Sequence, residues 1–270
     1  MTPPIVWTFE PSVVVGVLAL AILYGAGWRR ARGASEPHPP GYGRLALFAG
    51  AMFCVLAALV SPIDALSDNL MSIHMVQHIL LLDIVPILLI LSLTKGILRP
   101  VTRHVTRVEA RAGVFAHPGF GIIAYVGAMW LWHAPPLYDA ALANGNIHVL
   151  EHICFATAGF LYWWHLISPI RSRMRLGGMG PVMYMVITKG LVGVLGVVLA
   201  FSPESLYPWY QHHAHYWGLS ARVDQNLAGA LMALEQSIVM GIALVYLIYK
   251  MFDEAAAEQD RRDRYELAPD

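Results

Sequence analysis

The sequence is poor in charge and in cysteine, and each shortage excludes a class of protein. Only 13% of its 270 residues are charged and 57% are hydrophobic, whereas soluble domains carry about 25% charged residues. Its two cysteines, Cys54 and Cys154, lie inside apolar runs, and no CxxC or CxC pair is present. These features exclude a disulfide-rich domain and a thiolate metal site. The composition is typical of a multi-pass membrane protein.

The first apolar run also lacks the basic residues that precede a cleavable signal peptide, so we interpret it as a membrane span. A helix needs roughly 20 mostly apolar residues to cross a bilayer. We predict an all-α integral membrane protein, a bundle of seven transmembrane helices in residues 1–252, followed by a charged cytoplasmic tail at 253–270. The predicted spans are about 12–28, 44–60, 70–93, 119–133, 147–168, 181–201 and 225–249.

Positive charge is distributed unevenly between the two sets of loops. Sixteen of the eighteen Lys and Arg residues fall after the first, third and fifth spans or in the C-terminal tail. Because loops on the cytoplasmic side carry an excess of Lys and Arg, we predict that the N-terminus is outside and the C-terminus is cytoplasmic.

Histidines gather in the outer halves of the predicted spans. His74 and His78 lie in the third span, and His148 and His152 lie in the fifth. A spacing of four residues puts both rings of a pair on one helix face, about 6 Å apart. Two such pairs at one depth could hold a metal ion, with His133 at the end of the fourth span as a fifth candidate ligand. Hydrogen bonding between helices is the alternative interpretation of each histidine.

Further residues of the same outer layer are candidates around this site. A metal-bound imidazole usually donates its second N–H to a carboxylate or a carbonyl, and a thioether beside imidazole favours Cu(I). Packing and solvated loops are the plainer interpretations. The candidates are Asp64, Asp68, Glu151, Met71, Met75 and Asp224.

Three formal charges lie near the middle of the predicted membrane, on the third, sixth and seventh spans. They are Asp83, Lys189 and Glu235. Because an unpaired charge at this depth is expensive, we predict that Lys189 pairs with Asp83, with Glu235 or with both. The cluster is either a structural ion pair between helices or a proton or ion relay.

Longer runs of the sequence resemble a known family. The stretch SPIDALSDNLMSIHMVQHILLLDIVPILL, followed by WHAPPLYDAAL, IHVLEH, LYPWY and DQNLAG, resembles the multi-spanning CtaG family of bacterial cytochrome c oxidase assembly factors. The similarity extends from about 45 to 248, and HMVQH is its most specific part. The chain departs from the family pattern in the seventh span, where it reads MALEQSIVMG in place of an aromatic-Pro-Gly stretch.

The resemblance implies a role in maturing a copper-containing respiratory oxidase, with copper handled at the outer face of the bacterial cytoplasmic (inner) membrane. It implies an oxidase subunit or a copper donor on the outer side as partner, besides membrane lipid and without nucleic acid. The family pattern carries over onto Asp64, Asp68, the two histidine pairs, Asp224 and Gln225.

We therefore expect a copper-binding assembly factor and not an enzyme, with zinc or haem as alternative cofactors. One alternative function is a membrane oxidoreductase that depends on haem or several metals, since imidazoles between helices also suit axial haem ligation. The other is a proton or ion transporter built on Asp83, Lys189 and Glu235.

Overall fold

The computed structural model describes residues 5–33, 39–170, 176–213 and 216–266. Within these ranges all regular structure is helical, which confirms the predicted all-α class for the described chain. Arg171, Arg173 and Arg175, which entered the orientation argument, lie outside the described residues, and so does the end of the predicted tail.

Twelve α-helices follow one another along the described chain. They are α1 (Pro11–Gly33), α2 (Tyr42–Leu59), α3 (Pro62–Ser67), α4 (Met71–Ile79), α5 (Val85–Ser92), α6 (Lys95–Ala112), α7 (Pro118–Trp132), α8 (Pro135–Ala143), α9 (Gly145–Ile167), α10 (Gly180–Phe201), α11 (Pro208–Gln211) and α12 (Ala221–Glu266). A π-helical turn, Leu80–Ile84, joins α4 to α5, and a 3-10 turn, Gly113–Ala116, follows α6.

Five helical segments of the described chain are long and apolar enough to cross a membrane: α1, α2, the continuous α4–α5 segment, α10 and α12. A sixth is added if α6 and α7, which are bent by 65°, form one broken span. Helix α9 has 23 residues, which is roughly 35 Å of helix, but it is not one of these apolar segments. Seven spans and the outside position of the N-terminus therefore stay predictions.

Each predicted span coincides with a helix, but several predicted connections are helical as well. Helices α3 and α8 each begin with proline in their first turn, where its missing N–H costs nothing. Helix α6 begins where the Thr94 hydroxyl accepts a hydrogen bond from the Ile97 N–H over 3.2 Å. Its basic residues recur every four positions and so share one face, which makes α6 amphipathic.

The segment from α4 to α5 is the central helix of the bundle, and the π-helical turn interrupts it at mid-length. Pro86 has no N–H to donate to the carbonyl of Leu82, its α-helical partner four residues earlier. On α9, Gly159 lies directly against this Leu82 carbonyl, where any Cβ would overlap it. The two helices can therefore approach closely at the level of Asp83, which sits inside the π-helical turn.

Helices α10 and α12 approach each other through a pair of glycines. A Cβ on Gly229 would lie 2.6 Å from the carbonyl oxygen of Gly196, so the backbones are in direct contact. Small residues of this kind allow close packing between membrane helices. This contact fixes the position of α12, which also packs against α4.

Candidate metal site

Helices α4 and α9 bring their two histidine pairs together in the interior of the bundle. The rings of His74 and His148 stack across the helices with centroids 5.1 Å apart, and the His78 and His152 centroids are 6.2 Å apart. His74, His78 and His152 are buried, and His148 is partly buried. Because the i, i+4 spacing acts on both helices, the four rings form one group.

Glu151 lies among these rings and not behind them. Its side chain is fully buried, and its two carboxylate oxygens are 3.7 Å from Nε2 of His74 and 3.4 Å from Nε2 of His78. Three potential ligand atoms lie within 4.8 Å of one another, one each from His74, His148 and Glu151. The sequence prediction ranked Glu151 below the histidines, whereas the geometry puts its oxygens beside the Nε2 atoms of His74 and His78. We call His74, His78, His148, Glu151 and His152 the His–Glu site.

The polar atoms of the His–Glu site lack hydrogen-bond partners within the described chain. The Nε2 atom of each of the four histidines and both oxygens of Glu151 are buried and unpartnered. Buried polar atoms in proteins are nearly always hydrogen bonded, and leaving one unpaired costs about 1–3 kcal/mol. Six such atoms in one side-chain cluster, three of whose residues offer ligand atoms within 4.8 Å of one another, are what a candidate cation site requires.

His133, the fifth predicted ligand, lies beside this group, with its ring centroid 5.6 Å from that of His78, but both of its ring nitrogens have other partners. Its Nδ1 lies 2.7 Å from the carbonyl oxygen of Met129, and its Nε2 lies 3.3 Å from Sδ of Met75. The Tyr207 hydroxyl donates a hydrogen bond of 2.8 Å to the His133 carbonyl. His133 therefore faces a methionine, while His74 and His148 face Glu151.

Two of the acidic residues predicted around the site contact the backbone and an amide. The Asp224 carboxylate of α12 accepts hydrogen bonds from the Met71 and Ser72 N–H groups at 2.6 and 3.3 Å, so it caps the start of α4. Asp64 accepts a hydrogen bond of 3.0 Å from the Gln77 amide, and burial raises the pKa of its carboxyl group. Burial likewise raises the pKa of Asp68.

Two of the three charges predicted near the middle of the membrane, Asp83 and Lys189, belong to one hydrogen-bond network centred on Asp83. Lys189 donates to both carboxylate oxygens over 3.0 Å. Tyr125 O–H donates to Oδ2 over 2.6 Å, and Trp163 Nε1–H donates to Oδ1 over 2.7 Å. The Lys189 ammonium also lies over the Tyr125 ring, 4.8 Å from its centroid. Each oxygen of Asp83 thus accepts two hydrogen bonds.

Glu235 lies to one side of this network. Its Oε2 accepts a hydrogen bond of 2.7 Å from the Gln236 amide, while its Oε1 has no hydrogen-bond partner among the described residues. The prediction left open whether Lys189 pairs with Asp83 or with Glu235. The ion pair in the structure is between Lys189 and Asp83.

Sequence reasoning passed over the tyrosines that surround the histidines. Tyr138 on α8 is fully buried, with its ring 5.0 Å from that of His74, and its hydroxyl lies 3.2 Å from that of Tyr210. Tyr210 donates in turn to the carbonyl of Ser67 over 2.9 Å. The apolar and aromatic runs WHAPPLYDAAL and LYPWY carried the only signal for them.

Known proteins share sequence similarity with this chain. A family model described as cytochrome c oxidase caa3 assembly factor (Caa3_CtaG) matches residues 22–254. An uncharacterized protein of Mycobacterium leprae is 21% identical over 96% of this chain and 41% of its own length. An uncharacterized protein of Mycobacterium bovis is 24% identical over 98% of this chain and 42% of its own length. The chain thus spans about two fifths of these relatives, and no solved structure gives a significant match.

Proposed function

Because this chain belongs to the family of cytochrome c oxidase caa3 assembly factors, we propose that it handles copper during maturation of a respiratory oxidase. Copper is the cargo in this proposal, and the His–Glu site is where it binds. The proposed partners are an oxidase subunit or a copper donor on the outer side of a bacterial cytoplasmic membrane.

The observation that carries the proposal is the set of unpartnered ligand atoms in the His–Glu site. The separations of 3.4 and 3.7 Å between Glu151 oxygens and histidine Nε2 atoms are longer than an ordinary N–H···O hydrogen bond of about 2.9 Å. They match the roughly 3.4 Å between nitrogen and oxygen ligands of one tetrahedral metal ion.

The ligand chemistry supports copper over the hard cations. Imidazole suits copper and zinc, whereas magnesium and calcium prefer carboxylate, carbonyl and water oxygens. Zinc shares these ligands, and the family membership is what favours copper. A single carboxylate at Glu151 would offset one positive charge in a buried position, which lowers the electrostatic penalty of holding the ion.

Release toward the outer side is supported by the charge distribution. The histidines lie near the start of α4, whereas the basic helix α6 follows the opposite end of the α4–α5 segment. By the positive-inside rule the end with α6 is cytoplasmic, so the His–Glu site would be close to the outer surface.

Metal analysis of the purified protein tests the proposal. Copper should bind to the wild-type chain, and His74→Ala combined with His148→Ala should remove at least nine tenths of it. The matched control is His212→Ala with His213→Ala, two histidines of the α11–α12 loop, of which His213 packs on Trp209 with centroids 4.0 Å apart. This control should keep the wild-type copper content.

Two outcomes would overturn the proposal. One is a wild-type protein that binds no copper after exposure to Cu(I) or Cu(II). The other is equal copper loss in the site variant and in the loop control. A Soret band in the visible spectrum of the purified protein would indicate that these imidazoles bind haem and not copper.

A further inference from the structure

A second set of metal-ligand atoms lies next to the His–Glu site, between α4 and the end of α7. A carbonyl oxygen only accepts, so the 2.7 Å contact with the Met129 carbonyl assigns the proton of neutral His133 to Nδ1. Its Nε2 lone pair therefore faces Met75 Sδ at 3.3 Å. Two electron-pair donors thus face each other with no proton between them.

The separation of these two atoms suits ligands of a single soft ion. With metal–nitrogen and metal–sulfur bonds of about 2.0 and 2.3 Å, tetrahedral ligand atoms lie roughly 3.5 Å apart. Thioether and imidazole ligands together select Cu(I) among the biological cations. Both Met75 and His133 are buried, with 0% and 3% exposure, so water would not compete for the ion.

A small cavity adjoins Met75 and extends toward the middle of the bundle. Its volume is about 10 Å³, and its lining includes Met75, His78, Met129, Met232 and Glu235. That is about the room that one water-sized particle needs. Because His78 belongs to the His–Glu site and also lines the cavity, the two positions share a residue.

The far side of the cavity offers oxygen atoms from two side chains. Glu235 and Gln236 line it, and Oε1 of each residue is buried without a hydrogen-bond partner. Gln236 is 6% exposed. The nearby ammonium of Lys189 is held by Asp83 and Tyr125.

We propose that Met75 and His133, with the cavity between His78 and Glu235, form a second position for a soft monovalent cation, Cu(I). The ion reaches this position from the His–Glu site by way of His78. The inference rests on the proposed copper function and deepens it, because it gives the cargo two successive positions. Glu235 and Gln236 fall in the stretch MALEQSIVMG of α12, where the chain departs from the family pattern.

X-ray absorption at the copper edge tests this position directly. The purified chain, loaded with Cu(I) under reducing conditions, should show a sulfur neighbour in its copper shell. Met75→Leu conserves volume and should remove that sulfur neighbour while weakening Cu(I) binding at least tenfold. Met185→Leu is the matched control, since Met185 is fully buried in the core of α10 and outside the cavity lining. It should behave like the wild type.

The outcomes separate the two proposals. A wild-type copper shell of nitrogen and oxygen alone, or a sulfur neighbour that persists in Met75→Leu, overturns the second position. If copper is then still lost in His74→Ala with His148→Ala, the proposed function stands without it. A wild-type chain that binds no copper overturns both.

Discussion

The continuous helix from α4 to α5 carries two buried polar regions that differ in one respect. At the Asp83 network every carboxylate oxygen accepts two hydrogen bonds. In the His–Glu site, less than three turns away, the Nε2 atoms and the Glu151 oxygens have no hydrogen-bond partner within the described chain. Both regions lie in the interior of the bundle, although His148 is only partly buried. Burial of polar groups therefore does not by itself mark a candidate site, and their unsatisfied hydrogen-bonding capacity is the more informative feature.

The same difference helps to choose between the two interpretations of Asp83, Lys189 and Glu235, which are a structural ion pair and a proton or ion relay. A relay needs a group that can exchange its partner, but Asp83 is held by Lys189, Tyr125 and Trp163 from three other helices. Such a network joins α7, α9 and α10 to the central helix. It therefore supports the interpretation as a structural ion pair.

The largest expected effect comes from Lys189→Met, which leaves the Asp83 carboxylate buried without its counter-ion. Removing one partner of a buried ion pair costs about 3–5 kcal/mol, so the yield of folded protein and its unfolding temperature in detergent should fall sharply. Lys189→Met combined with Asp83→Asn should recover much of the loss. Unchanged stability of the single variant would contradict the structural role.

A smaller loss of stability is expected from Gly159→Ala, which adds a methyl group against the Leu82 carbonyl. Overpacking of this kind typically costs about 1–3 kcal/mol. Because α9 must then move away from the π-helical turn, the variant should also weaken copper binding at Glu151, about two turns away along the same helix. Thermal unfolding and copper titration measure the two effects. Gly127→Ala is the control, because a Cβ there meets nothing within 4 Å.

The smallest effect on folding is expected from Glu151→Gln. This variant is also the sharpest test of the difference between the His–Glu site and the Asp83 network. The change removes a buried carboxylate that has no hydrogen-bond partner, so the metal-free protein should be at least as stable as the wild type. Copper binding should weaken about tenfold or more, equivalent to about 1.4 kcal/mol. A marked drop in the unfolding temperature of the metal-free variant would show that Glu151 is a structural residue like Asp83.

Part of the candidate site was predictable because its signal is local. A spacing of four residues on one helix places His74 beside His78 and His148 beside His152 whatever the rest of the fold does. The place of Glu151 among the candidate ligands was not predictable, because its contact with His74 depends on how α9 is rotated relative to α4. The orientation of the His133 ring depends on the course of the chain at the end of α7, where its Nδ1 meets the Met129 carbonyl.

The sequence by itself determined the all-helical class, the positions of the long apolar helices and the histidine pairs, because each follows from short-range periodicity and hydropathy. Only the tertiary structure decided which buried groups meet. It paired Lys189 with Asp83 and left Glu235 facing a cavity. The physical reason is that each residue turns a helix by about 100°, so contacts between helices depend on rotation and depth. These are set by the π-helical turn and the contacts at Gly159 and Gly229.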